Sequence, residues 1–168
     1  MILLPFKWDF PENKQNHFGA VRKHDIHTGV DIFAPDGTDV LSVADGKVVQ
    51  VGYFTGPNAK YVSPWWNETF YVMIENPDGY IFNYGEILPI VKEGDIVYAK
   101  QKIGTVQTVL KKDKGLPMSM VHFEMYRRLP ECWAVWEIGD EQPELLIDPT
   151  LTLELCRCLN DRYYITEG

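Results

Sequence analysis

The chain has 168 residues, of which 45% are hydrophobic, so it is long enough to form a globular domain with a substantial core. Its formal net charge of −8 at pH 7 disfavours nucleic acid and anionic membrane surfaces as partners, because both are negatively charged. We therefore predict a single domain over residues 1–168, with neither a nucleic-acid nor a membrane partner.

The N-terminus and the cysteines indicate the compartment. The apolar run at residues 2–4 stops at Pro5, which is too short for a signal peptide, and no run is long enough to span a bilayer. The three cysteines, Cys132, Cys156 and Cys158, are an odd number and indicate reduced thiols. We expect a cytoplasmic protein, and interpret the Cys156-x-Cys158 pair as two residues on one face of a strand or terminal segment rather than as a metal or redox site.

Strand patterns follow one another along the chain. Residues 39–44 and 47–51 flank Asp45-Gly46, and residues 70–75 and 80–84 flank Pro77-Asp-Gly79, so both pairs predict β-hairpins. Residues 91–97 and 101–106 predict two short strands with tight corners at Gly94 and Gly104, and residues 121–126 predict another strand.

The remaining segments are less regular. Residues 130–148 mix prolines, acidic residues and tryptophans, which predicts an irregular segment that wraps the sheet, whereas residues 151–159 fit a short helix or a last strand. The fold class predicted from these patterns is all-β and mostly antiparallel.

One long loop, residues 54–68, interrupts the strands and contains the adjacent pair Trp65 and Trp66. Loops of this length in compact domains are often functional, so the two indole rings are candidates for the floor of a ligand groove. The alternative is that they close one end of a small barrel.

The segment His27-Thr-Gly-Val-Asp31 carries a candidate metal pair. On a straight strand the two Cα atoms would lie roughly 13 Å apart, too far to share one ion. A turn at Gly29 would let the two side chains converge, and an imidazole together with a carboxylate suits zinc. Such pairs also occur by chance, so the spacing alone is a weak signal.

The surrounding motifs resemble the M23 peptidases, the lysostaphin-like and LytM-like cell-wall endopeptidases. The resemblance runs in order through His27-Thr-Gly-Val-Asp31, Ala34-Pro-Asp-Gly-Thr38, Asp45-Gly-Lys-Val48, the residues 91–104, Val121-His-Phe-Glu124 and the residues 145–150. It implies the open barrel of the duplicated-hybrid-motif type. It also implies one Zn²⁺ held by His27, Asp31 and His122, an arrangement that leaves a fourth position for water, as in catalytic zinc sites.

Two positions depart from the pattern that the resemblance implies. The family places a histidine two residues before the last ligand, where this chain has Met120, and another in a Tyr-x-His-Leu motif, where this chain has Tyr84-Gly-Glu86-Ile. Assisting acid–base groups contribute a factor of about a hundred to ten thousand in rate, so their replacement weakens the usual mechanism. Glu86 is the candidate replacement, either as the base or as a fourth ligand. We interpret His17 and His24 as solvent-facing residues near the turn.

The sequence is compatible with two main functions. The first is a zinc metalloendopeptidase that cleaves peptide crosslinks of the peptidoglycan type, with Tyr84, Trp65, Trp66 and Met120 along the substrate groove. A phage or prophage origin would explain how a protein without an export signal reaches such a substrate. The second is a catalytically inactive zinc-binding module that binds a peptide or cell-wall ligand. A lipoyl-type carrier ranks last, because Lys47 lacks the usual flanking residues.

Overall fold

The structure is a computed structural model that describes residues 11–113, 115 and 117–165. The predicted absence of a signal peptide concerns residues 2–5, which lie outside the described residues, and the side chain of Cys158 also lies outside them. Within the described part of the chain, no helix combines the length and the apolar character that crossing a membrane requires.

The described strands form one antiparallel sheet that curls into a half-barrel, which confirms the predicted fold class. The strands are β1 (Val30–Phe33), β2 (Asp39–Leu41), β3 (Gly46–Thr55), β4 (Thr69–Glu75), β5 (Ile81–Pro89), β6 (Ile96–Val97), β7 (Lys102–Thr108), β8 (Ser119–Tyr126) and β9 (Leu146–Ile147). Their order is β1-β8-β7-β5-β4-β3-β6, with β2 paired to β7, β9 paired to β8, and β5 also paired to β8. A 3₁₀ helix at Lys14–Asn16 precedes the sheet, and α1 (Thr150–Ile165) follows it.

The central strands bury both of their faces. On the first face, β4, β5 and β8 pack their apolar side chains against each other and against Leu153 and Cys156 of α1. On the second face, the irregular segment 130–148 covers the sheet, with Trp133 and Trp136 packed there. The predicted wrapping role of that segment is confirmed, and the α1 end of the chain is helical rather than a last strand.

The predicted hairpin around Pro77-Asp-Gly79 is confirmed as the β4–β5 pair. Gly79 has a φ of +86°, and the Asn76 side-chain oxygen accepts hydrogen bonds from the backbone N–H groups of Asp78 and Tyr80. A glycine at this position therefore meets a real backbone requirement of the turn.

The predicted hairpin around Asp45-Gly46 is wrong, because β2 pairs with β7, and β3 pairs with β4 and β6. The residues between the two strands bond elsewhere: the Ser42 N–H donates to the Gln101 carbonyl, and Asp45 accepts from the Ala99 N–H. Gly46 is needed for space rather than for a turn, since an added Cβ would lie 2.4 Å from the Glu75 carbonyl oxygen.

The two predicted glycine corners have different outcomes. Gly94 lies in a turn with a φ of +93°, as predicted. Gly104 is not at a corner but inside β7, opposite Val40 and Pro89, where an added Cβ would lie 2.5 Å from the Leu88 carbonyl oxygen. Position 104 needs a residue without a side chain, because the neighbouring strands approach β7 closely there.

Candidate metal centre

A bend between His27 and Asp31 brings these two side chains together, so that His27 Nε2 lies 3.0 Å from Asp31 Oδ1. The bend contains Gly29, where an added Cβ would lie 2.4 Å from the Phe123 carbonyl oxygen of β8. Any larger residue would push the bend away from β8. The structure therefore contains the predicted convergence of the His27 and Asp31 side chains. Glycine is required at position 29 because the bend approaches β8 closely.

His122 joins the pair because β1 and β8 are adjacent and Asp31 is the register partner of His122. His122 Nδ1 lies 2.9 Å from Asp31 Oδ1 and 3.1 Å from His27 Nε2. The three candidate ligand atoms all lie within 4.8 Å of one another, and all three residues are buried. Two imidazole nitrogens and one carboxylate oxygen at this spacing form a donor set that fits zinc.

Each of the three side chains has an outer partner that holds its orientation. His27 Nδ1 lies 2.9 Å from the His17 carbonyl oxygen, which can only accept, so Nδ1 carries the proton and Nε2 is left with its lone pair. Arg22 Nη2 lies 2.5 Å from Asp31 Oδ2, and His122 Nε2 lies 3.2 Å from Glu124 Oε1. Such outer partners are characteristic of protein metal sites.

Sequence reasoning missed all three of these partners. His17 contributes its backbone carbonyl, while its ring lies 2.7 Å from the Pro11 carbonyl oxygen, so the ring does not reach the cluster. Arg22 lies beside Asp31 because Val21 and Ile26 form an isolated β-bridge that folds the chain back. No sequence motif predicts this local pairing. Only Glu124 had a usable signal, since strand alternation places it on the same face as His122.

The electrostatics of the cluster place a proton on His122 when no metal ion is bound. Burial would raise the pKa of Asp31, but the hydrogen bond from His122 and the neighbouring His27 ring outweigh it and hold this pKa well below its usual range. Burial would also lower the pKa of His122, yet the hydrogen bonds with Asp31 and Glu124 raise it to about 10. The pKa of His27 is lowered by burial. A bound metal ion would therefore have to displace a proton from His122.

The model of Peptidase family M23 matches residues 25–132, which is more than half of the chain and spans His27, Asp31 and His122. The chain belongs to peptidase family M23. It is therefore a peptidase of the M23 type by family, and members of this family are in general zinc-dependent.

Solved structures of other M23 peptidases share the fold. The catalytic domain of lysostaphin from Staphylococcus simulans has a TM-score of 0.56 and 22% identity, covering 83% of this chain and 89% of that one. LytU has a TM-score of 0.56 and 19% identity, covering 88% and 89%. A mutant catalytic domain of the prophage-encoded M23 protein EnpA from Enterococcus faecalis has a TM-score of 0.51 and 21% identity, covering 89% of each chain. No curated protein sequence matches the chain.

Glu86 lies at a bulge in β5 of this M23 fold. The pairing of β4 with β5 passes from Tyr71–Gly85 to Phe70–Ile87, so Glu86 is the extra residue, and its φ is +65°. Bulges of this kind often re-aim a side chain beside a functional site. Burial and the nearby Asp31 raise the pKa of Glu86 to about 8. Its Oε2 atom is buried without a hydrogen-bond partner among the described residues.

The metal centre opens into a cavity of about 960 Å³. His27, Asp31, His122 and Glu86 all line it, together with Met120, which stands two residues before His122 on the same face of β8. Aromatic side chains form much of the remaining wall. They are Phe33, Phe54, Tyr61, Trp66, Trp133 and Trp136.

The predicted groove residues divide into two groups. Trp66 and Met120 line the cavity, but Trp65 does not; it is 60% exposed, so neither the groove role nor the barrel-plug role describes it. Tyr84 is also misassigned, because it is buried in the core, where its hydroxyl accepts a hydrogen bond from the Val43 N–H. His24 lines the cavity without joining the three-residue cluster.

Proposed function

We propose that this M23 peptidase is a zinc-dependent endopeptidase that cleaves peptide crosslinks of the peptidoglycan type, within one domain over residues 1–168. His27, Asp31 and His122 would hold the ion. The observation that carries the proposal is the convergence of these three buried side chains at a large cavity. Zinc, when bound, would supply a Lewis acid that polarises a peptide carbonyl and makes water more acidic.

Glu86 is the group that we assign to proton transfer, in place of the assisting histidines that the family resemblance implies at positions 86 and 120. Its carboxyl group lines the cavity and has one oxygen without a partner among the described residues. The positive charge of a bound zinc would favour its ionised form, which can take a proton from the attacking water and pass it to the leaving amine. Met120 cannot do this, because a thioether does not accept a proton at neutral pH.

The geometry supports a base rather than a fourth ligand. Glu86 is not a member of the group whose ligand atoms lie within 4.8 Å of one another. The charge balance also supports a base. The sum of the charges is about +1 for Zn²⁺, Arg22, Asp31 and Glu124, and an ionised Glu86 would neutralise it. Closing the site with a fourth protein ligand would make it structural rather than catalytic.

The cavity suits a peptide substrate. Its aromatic walls can exclude water from a bound chain, while Glu86 and the three ligand side chains concentrate the polar groups at one place. M23 peptidases act on the peptides of peptidoglycan, and that is the substrate class that we propose here.

The proposal is tested with Glu86→Gln on the zinc-loaded protein, using purified peptidoglycan and counting new amino termini. We expect at least about a hundredfold loss of rate with zinc content unchanged. Glu137→Gln is the matched control, since Glu137 also lines the cavity but is not part of the cluster. Unchanged turnover would remove Glu86 from the mechanism, and loss of zinc would make it a ligand. A wild-type protein that holds zinc and binds peptidoglycan without cleaving it would be a binding module.

A further inference from the structure

Glu124 is a carboxylate in the middle of β8 that the proposed reaction does not use. It is completely buried, and both of its oxygens are engaged. Oε1 lies 3.2 Å from His122 Nε2, while Oε2 accepts hydrogen bonds from Asn83 Nδ2 at 2.7 Å and from the Tyr126 hydroxyl at 2.6 Å. A buried carboxylate with this many donors is held in one orientation.

We propose that Glu124 is the positioning residue of the metal centre, which fixes the His122 ring with Nδ1 turned towards Asp31 and His27. An ionised carboxylate only accepts hydrogen bonds, so its partner Nε2 must carry the ring proton. The lone pair then resides on Nδ1, which is the nitrogen that lies 2.9 Å from Asp31 Oδ1. This inference rests on the proposed function, because it assigns the orientation of a ligand to the same metal.

The two histidines of the site are held in different ways. His27 is oriented by a neutral carbonyl oxygen of the N-terminal segment, that of His17. His122 is oriented by the Glu124 carboxylate of its own strand. Thr28 Oγ1 lies 3.3 Å from the same ring nitrogen, Nε2. A carboxylate partner makes the opposite ring nitrogen a better electron donor than a carbonyl partner does. His122 should therefore be the more firmly bound of the two ligands.

Tyr126 extends this network to the wall of the cavity. Its hydroxyl donates to Glu124 Oε2 and accepts from the Ala134 N–H at 2.8 Å. Ala134 lies in the segment that also contributes Trp133 and Trp136 to the cavity. One hydroxyl group thus connects the substrate-facing wall to the residue that orients His122.

The test compares the zinc affinity of the full chain with that of Glu124→Gln and Tyr126→Phe, measured by competition with a chromogenic chelator. We expect zinc to bind Glu124→Gln about tenfold to a hundredfold more weakly, and Tyr126→Phe to show a smaller loss in the same direction. Tyr84→Phe is the matched control. This change also removes a buried hydroxyl that accepts a hydrogen bond from a backbone N–H. Tyr84, however, packs on the face of β5 that points away from the metal centre, so the zinc affinity of the variant should equal that of the wild type.

Nitrogen NMR of the His122 ring separates positioning from general loss of stability. In the zinc-loaded wild type we expect a protonated Nε2 and a metal-bound Nδ1, with the Nε2 proton signal altered in Tyr126→Phe and not in Tyr84→Phe. Wild-type affinity and unchanged ring signals in both Glu124→Gln and Tyr126→Phe would overturn the inference, and Tyr126→Phe decides it alone if Glu124→Gln does not fold. Failure of the wild type to bind zinc would overturn the proposed function, and this inference with it.

Discussion

The two faces of the β5–β8 strand pair differ in what their side chains do. On one face, Tyr84 lies opposite Phe123, and the two buried rings meet edge to face with their centroids 5.2 Å apart. On the other face, Gly85 lies opposite His122, and Asn83 opposite Glu124. The first face is apolar packing, and the second is a line of buried polar groups that bond to one another.

The difference separates stability from chemistry along a single strand. Changes on the Phe123 face should alter the free energy of unfolding without changing the metal site. Changes on the His122 face should alter metal binding, whatever they do to stability. A change on the Phe123 face that alters metal binding would break this separation.

The largest expected effect is on the site face. His27→Ala should weaken zinc binding by roughly a thousandfold, because it removes one of three ligands from a site whose binding free energy they share. Isothermal titration with Zn²⁺ measures this loss. His24→Ala is the control, since His24 lines the same cavity outside the cluster; an equal loss there would mean that the cluster has been misassigned.

On the packing face, Phe123→Ala should lower the free energy of unfolding by about 3 to 5 kcal/mol, because it leaves a cavity beneath Tyr84 and Phe82. Urea unfolding of the metal-free protein gives the value. A loss below about 1 kcal/mol would show that this face is not the main core.

The metal-free protein should lose stability between pH 7 and pH 9. The folded pKa of His122 is raised from 6.5 to about 10, so its stabilisation is complete below pH 6.5 and is lost as the pH rises towards 10. The folded pKa of Glu86 is raised from 4.5 to about 8, so up to about pH 8 the folded state keeps a proton that the unfolded chain has lost, and stability falls further as the pH rises. Together the two groups should lower the free energy of unfolding by on the order of 4 kcal/mol between pH 7 and pH 9.

Thermal unfolding in the presence of a chelator measures this pH dependence. Zinc-loaded protein should show a smaller decline, because His122 then has no proton to lose from Nδ1. A metal-free protein that is equally stable at pH 7 and pH 9 would contradict the proton assignment.

The smallest effect is expected for Tyr84→Phe, about 1 kcal/mol, since it leaves the Val43 N–H without its present acceptor. Urea unfolding measures the loss, and zinc affinity should remain at the wild-type value. A change in zinc affinity would show that the two faces are coupled through β5.

Much of the site was predictable because it depends on local motifs in a fixed order. The bend at Gly29 and the strand position of His122 follow from short segments, and the resemblance to M23 peptidases indicated which segments meet. The long-range bonds were not predictable in the same way. Asp45-Gly46 has a strong hairpin signal, yet the Asp45 carboxylate bonds to Ala99, 54 residues away in the chain.

Tyr84 and Glu86 show why it was harder to predict on which face of the sheet a single side chain lies. Strict alternation along β5 would place both on the same face. The bulge at Glu86 breaks the alternation, so that Tyr84 enters the core while Glu86 lines the cavity. A positive φ at a non-glycine residue has no dependable sequence signal, and this one decides where the candidate base points.

The most direct test of the account is the zinc content of the purified protein, measured by elemental mass spectrometry beside the His122→Ala variant. The account predicts about one zinc per chain in the wild type and a large loss in the variant, because His122 is one of three ligands. An equal zinc content in both proteins, or none in the wild type after reconstitution, would contradict it.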